Sequence, residues 1–286
     1  MPTLLVRYGE IGLKSERVRR RFEAALVADI KHKHATASVP CIVSSGRGRI
    51  FVDSNDWRRS CEILSRTFGV VSFSPTTRVS SDLEVLSKEV AGFAEPLMFE
   101  KASFAIRARR SGSHPYTSQT VCEKVGAAVL SANKDRGVKV DLDEPDIELF
   151  VEVRGRDAYL FSSILPGPGG MPKSTQGRVL AMLSSERGIA AAWLLMKRGC
   201  TVVAACGDPK LADQLAAWDA DLKTIGPEGD MFRKATDERC LAVVMDWGVK
   251  ELGSSPALKG PVPVFYPLAG LDDGQLCALL DRVTRT

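Results

Sequence analysis

Three sets of side chains in this sequence have types and spacings suited to chemistry. The first is basic. Lys14, Arg17 and Arg21 recur at helical spacing with Arg19 beside them, and Arg107, Arg109 and Arg110 form a second island followed by Gly112 and His114. Cations at this density attract a phosphate backbone, although a charged run also serves as an ordinary solvated face. Residues 1–75 hold 13 basic and 7 acidic side chains, residues 76–171 hold 12 and 14, and residues 172–286 hold 14 of each. The positive excess is therefore local.

The second set is Ser184-Ser185-Glu186-Arg187-Gly188, between an apolar run and a helical one. A loop that grips phosphate needs free amides and close backbone approach, usually from clustered glycines. Here there is one glycine, placed late, and Glu186 repels an anion. Ser184 and Ser185 suit a helix cap better than a nucleotide loop. The third set is a single thiol. Cys206 stands at the end of an apolar run before Gly207-Asp208-Pro209, which makes it the candidate reactive cysteine, with plain burial as the competing reading.

Other constellations say less. Asp141, Asp143, Glu144 and Asp146 lack the even spacing and central glycine of a calcium loop and read as a solvated turn. The 7 cysteines and 3 histidines make no CxxC pair or close cluster, so no metal site is expected, and the odd count is against a full disulfide framework. His114 sits in a polar loop, where it serves either backbone support or catalysis. With 286 residues, 44% hydrophobic and 26% charged, the chain is neither fibrous, nor disordered, nor a coiled coil. No apolar stretch approaches membrane-span length, and the amino terminus lacks a secretion signal, so a cytoplasmic protein is expected.

These groups need elements to position them. Residues 3–7 read as a strand, and residues 15–31 as a helix capped by Ser15, with Phe22, Leu26 and Ile30 inside and the basic residues outside. Residues 42–43 and 49–52 suit a hairpin, 57–67 a helix and 70–75 a returning strand. That βαββαβ order predicts a ferredoxin-like α+β module over residues 1–75. Residues 76–165 repeat the mixture. They hold a helix from 82 to 94 capped by Ser80 or Ser81, a strand at 103–109, a helix from Thr117 or Ser118 to 133, and a hairpin of 147–153 with 157–162. Residues 166–177, rich in glycine and proline, read as a linker of defined shape. From 178 to 286, strands read at 179–183, 201–205, 221–225, 241–245 and 262–266 alternate with helical segments. They predict a small Rossmann-like α/β domain with a mainly parallel sheet.

Several motifs add a family likeness. The run from Phe104 to His114 with Ser118-Gln119-Thr120-Val121, and the later run from Pro145 to Val153, resemble the two signatures of the THUMP domain of tRNA-modifying enzymes. Gly9-Glu10-Ile11-Gly12-Leu13-Lys14-Ser15 with Val18-Arg19-Arg20-Arg21-Phe22 resembles the opening of the tRNA 4-thiouridine synthases, which place a ferredoxin-like module before THUMP. The run from Gly169 to Leu180 resembles their passage into an ATP-pyrophosphatase domain.

The resemblance implies tRNA as partner, held by its acceptor end and backbone. Lys14, Arg19, Arg21, Arg107, Arg109, Arg110, Gly112 and His114 are the matched positions, and Arg17 and Lys173 complete the expected RNA-binding set. The family's Ser-Gly-Gly-x-Asp-Ser loop falls on Ser184 to Ile189, where the paired glycines and the aspartate are absent. The expectation is therefore a non-catalytic tRNA-binding protein that presents tRNA to a separate modifying enzyme and takes no cofactor. The alternative is an ATP-dependent tRNA sulfurtransferase with an atypical nucleotide loop. A third reading is a structural or regulatory protein acting through a protein partner. No membrane partner is expected, and self-association through the carboxy-terminal sheet stays open.

Overall fold

The computed structural model describes residues 2–9, 15–46, 48–254 and 257–284. In chain order the first elements are β1 (Thr3–Tyr8), α1 (Glu16–Thr36), β2 (Ile42–Gly46), β3 (Arg49–Asp53), α2 (Trp57–Ser65) and β4 (Val70–Ser80). Then come α3 (Leu83–Ala94), β5 (Ser103–Ser111), α4 (Ser118–Ala132), β6 (Lys139–Val140), β7 (Ile147–Arg154), β8 (Asp157–Phe161) and β9 (Leu165–Pro166). The last run is β10 (Arg178–Leu183), α5 (Glu186–Lys197), β11 (Thr201–Cys206), α6 (Pro209–Ala216), β12 (Lys223–Ile225), α7 (Met231–Asp237), β13 (Ala242–Val244), α8 (Val249–Ser254), β14 (Val264–Phe265) and α9 (Asp273–Thr284). These elements make two compact units. One is Met1–Arg7, Pro40–Cys61 and Ser72–Pro166; the other is Tyr8–Val39, Glu62–Val71 and Gly167–Thr286.

The first unit is floored by a nine-stranded sheet of order β2-β3-β1-β4-β8-β7-β5-β6, with β9 on β4. The strand expected at 70–75 runs on to Ser80, so residue 75 lies inside β4. Ser72 and Phe73 pair with β9 and Thr77 to Ser80 pair with β8, leaving Pro75 between the two ladders, where its missing N–H costs neither a bond. Helices α3 and α4 bury Leu86, Val90, Val121, Val125 and Val129 against Phe104, Ile106, Leu149, Val151 and Leu160. Strand alternation then turns Arg107, Arg109, Phe150 and Glu152 to the other face. The cap of α3 is Asp82, not Ser80 or Ser81, because its carboxylate reaches the amides of Glu84 and Val85. Thr117 caps α4 in a reciprocal pair with Thr120.

The second unit is a five-stranded parallel sheet of order β12-β11-β10-β13-β14, the Rossmann-like arrangement expected. Its central strands β10, β11 and β13 are apolar on both faces. Val179, Ala181 and Leu183 meet α5 and α9 together with Phe68 and Trp218, while Leu180, Val203 and Val243 meet α7. The helix α1 belongs to this unit and extends five residues beyond its expected end at 31. The segment before β10 packs closely on the end of α5. Gly170 has φ +78°, and a Cβ there would lie 2.1 Å from the carbonyl oxygen of Lys197. The short helix α8 escaped prediction, since its six residues carry too little periodicity.

Candidate functional site

The uncovered sheet face of the first unit holds a cavity of about 560 Å³ lined by Arg7, Arg107, Arg109, Phe150, Phe161 and Ile164 among others. Arg7, from β1, lies 4.8 Å over the Phe161 ring and donates to Ser74 Oγ at 3.1 Å. Its other terminal nitrogen is buried with no hydrogen-bond partner among the described residues. Burial pulls the Arg7 pKa down to about 10; Glu152 opposes this, while Arg49, Arg109 and Arg154 add to it. Glu152 is 4% exposed and takes ion pairs from Arg49 at 3.0 Å and Arg154 at 2.5 Å. One buried acid thus sits amid four arginines, and the surplus charge faces the cavity. The parallel rings of Phe150 and Phe161, 5.0 Å and 5° apart, form part of its wall.

The predicted basic residues divide sharply. Arg107 spends part of its guanidinium on Glu148 at 2.7 Å and on the Leu142 carbonyl at 2.9 Å. Arg109 is exposed in the same cavity and makes no ion pair among the described residues. Arg110 donates to the carbonyl of Gly112 at 3.2 Å, and Gly112 supplies the left-handed turn there with φ +102°. His114 hydrogen-bonds the Gly155 carbonyl at 2.8 Å and packs beside Tyr116, which is backbone support.

In the second unit, Arg17, Arg19 and Arg21 are exposed along α1. Lys14 lies outside the described residues. Lys173 does not share their freedom: its ammonium is held by Asp219 at 2.5 Å and Asp221 at 3.2 Å. Burial opposes that charge, but Asp219 and Asp221 outweigh it and raise the Lys173 pKa. A phosphate would have to compete with both carboxylates.

The second site in this unit is a crevice. The chain steps outward from β10 to β11 and β12, then returns to lay β13 on the other side of β10. Ligands of α/β sheets bind at such a reversal, outside the strands' carboxyl ends. Ser184 and Ser185 follow β10, and Asp246 follows β13. Ser185 is the first residue of the α5 cap, yet its hydroxyl donates to Asp246 Oδ2 at 3.0 Å and makes no capping bond. Ser184 reaches the same oxygen at 3.4 Å. The expected serine cap is therefore absent because Asp246 takes both hydroxyls. Of the first-turn amides of α5, that of Gly188 donates to the Ser185 carbonyl at 3.0 Å, which leaves those of Glu186 and Arg187 to meet an anion. Arg187 donates to the Asp246 carbonyl at 3.2 and 3.3 Å and lies 3.5 Å from Glu251. Glu186 is exposed. Gly188 gives α5 its close approach to β10: a Cβ there would meet the Met182 carbonyl at 2.8 Å.

Beside this crevice, Cys206, Asp208, Ala212, Asp213 and Thr224 line a hollow of about 330 Å³. The Cys206 thiol donates to the Asp208 carbonyl at 2.9 Å. Among the described residues no group of histidine, cysteine and acid could hold a metal ion, and no helix is long and apolar enough to cross a membrane. Arg7, Glu152 and Asp246 were missed in the sequence. Asp246 was findable, since an acid directly after a central apolar strand sits at the reactive edge of a parallel sheet.

The family model of the ThiI ferredoxin-like domain matches residues 3–74, and that of the THUMP domain matches residues 80–163. A protein of Methanothermobacter thermautotrophicus named "Probable tRNA sulfurtransferase" is 33% identical over 281 residues, covering 89% of this chain and 70% of its own. A protein of the same name in Methanobrevibacter smithii is 34% identical over 283 residues, covering 90% and 72%. The chain belongs to the tRNA sulfurtransferase family. PH1313 from Pyrococcus horikoshii superposes on this family member with a TM-score of 0.84 at 29% identity over 99% of each chain. A 4-thiouridine synthetase solved with RNA and bound ATP shares the fold, with a TM-score of 0.78 at 21% identity over 99% of this chain and 85% of its own.

Membership overturns the expectation of a non-catalytic accessory without ATP. The likeness to relatives named sulfurtransferases covers 89% and 90% of the chain, so it takes in the α/β domain as well as the THUMP module. The expectation of a tRNA partner stands with the family.

Proposed function

We propose that this chain is an ATP-dependent tRNA sulfurtransferase that exchanges a uridine carbonyl oxygen for sulfur, giving 4-thiouridine, and that it works in the cytoplasm. The observation that carries the reading is family membership extending through the α/β domain. The geometry supports it at both sites. Arg7 and Arg109 offer the cavity unspent positive charge for RNA phosphates, and Phe150 and Phe161 suit an unpaired base. Arg17, Arg19 and Arg21 add a second phosphate-binding row.

At the crevice, the α5 amino terminus and Arg187 suit a polyphosphate, and the hollow beside Cys206 suits a nucleoside. ATP, when bound, supplies the activation that makes the uridine oxygen a leaving group. Asp246 holds the Ser184 and Ser185 hydroxyls away from the α5 amides, which leaves those of Glu186 and Arg187 open. The solved synthetase with RNA and bound ATP has this fold, which is consistent with both ligands here.

The test is to incubate the full chain with tRNA, ATP and sulfide, then measure 4-thiouridine in digested tRNA and AMP in the supernatant. Both should appear, and both should fall about tenfold or more in Asp246→Ala. Absence of both products with the unaltered chain would reject the reading.

A further inference from the structure

The second unit contains a cluster of charges that neither site uses. Lys33, near the end of α1, is 11% exposed at its side chain. Its ammonium donates to the carbonyls of Arg66 at 2.6 Å and Trp218 at 2.8 Å, and lies 3.9 Å from Asp29. Asp29 is 7% exposed, and its Oδ2 has no hydrogen-bond partner among the described residues. Beside them Lys173 joins Asp219 and Asp221, and His32 of α1 closes on Asp221 at 2.8 Å. Six side chains thus tie α1 to the segment before β10 and to the turn after α6.

Such a cluster is a poor way to gain stability. Buried ion pairs seldom outperform apolar residues of similar volume, and what they supply best is a unique register. Burial raises the Asp29 pKa and lowers that of Lys33, each against the pull of the other. Desolvation therefore outweighs attraction in the pair. The helix it fixes carries Arg17, Arg19 and Arg21 at its far end. Arg17 stands about 24 Å from Lys33 along the axis. A tilt of about 5° at the docked end would swing it by about 2 Å, and misplacement of about 1 Å can cost on the order of 100-fold in rate.

We propose that Lys33 is a positioning residue of sulfur transfer: it fixes α1 on the α/β domain in one register, so that RNA gripped by the α1 arginines meets the β10–β13 crevice at a set place. This rests on the sulfurtransferase reading. The test compares the full chain with Lys33→Met and Lys33→Arg by tRNA Kd, single-turnover thiolation rate and hydroxyl-radical footprint on tRNA. In Lys33→Met, Kd should stay within about twofold while the rate falls about tenfold and protection by the α/β domain fades. Lys33→Arg, which keeps the cation, should recover most of the rate. A wild-type rate in Lys33→Met, or a Kd that worsens in step with the rate, overturns the proposal. If Lys33→Met does not fold, His32→Ala at the exposed rim should still slow transfer about twofold to threefold at constant Kd, and an unchanged rate overturns it. A wild-type chain that binds tRNA but makes no 4-thiouridine rejects the sulfurtransferase reading instead, and the footprints alone then decide the role of Lys33.

Discussion

Two charged clusters, one in each unit, are built on opposite plans. Around Glu152, which pairs with Arg49 and Arg154, Arg7 and Arg109 add further positive charge, and a buried Arg7 nitrogen has no hydrogen-bond partner among the described residues. Around Lys33 and Lys173, Asp29, Asp219 and Asp221 meet the cations and His32 closes the rim. A surplus of one sign beside a cavity is held for a ligand of the other sign. A balanced, buried set has no charge left to offer and can only fix its own surroundings. Counting lysines and arginines does not separate these cases: Lys173 and Arg109 look alike in the sequence, and only Arg109 faces outward.

The most damaging way to break the contrast is Glu152→Ala. It strips the carboxylate that pairs with Arg49 and Arg154 and should cost about 3–5 kcal/mol in chemical denaturation, as removal of one partner from a buried pair does. A loss below about 1 kcal/mol would mean that the arginines do not depend on Glu152. Next in size is Arg107→Ala with Arg109→Ala. Binding of tRNA should weaken about 10- to 100-fold at low salt with a shallower salt dependence, whereas Lys173→Ala should change it less than about twofold. Equal effects would erase the distinction between offered and spent charge.

The smallest effects are in pH dependence and have opposite signs. In the first unit, the amide and hydroxyl of Ser103 donate to Asp146 and hold its pKa below the ordinary value of 3.8. Its contribution to stability is present above that ordinary value and is lost as pH falls through the lowered one. In the second unit, burial raises the Asp29 pKa, so its contribution is present below the ordinary value and is lost as pH rises through the raised one. Denaturation midpoints against pH should show Asp146→Asn flattening the acid-side loss and Asp29→Asn flattening the loss on the rising side. Slopes of the same sign in both variants would contradict this account.

Much of the architecture was legible because local patterns agreed with it. Alternation over 147–153 marked β7, and continuous apolar runs separated by helices marked the parallel sheet. The β5 alternation also put Arg107 and Arg109 on the face opposite Phe104 and Ile106. The chemistry of the crevice was less legible. Ser184 and Ser185 have the composition of a cap, and nothing near them in sequence shows that Asp246, 61 residues from Ser185, takes their hydroxyls. Helix α1 likewise has a basic outer row by spacing alone, but its buried end is set by Trp218, Asp219 and Asp221.

By itself the sequence determined the order of elements, their apolar faces and which residues could carry charge, because these follow from side-chain period and type over a few turns. The tertiary structure alone decided which charges remained available. A cation's fate depends on burial and on acids brought near it by strands and helices far away in the chain. Those distances exist only once the sheets have formed.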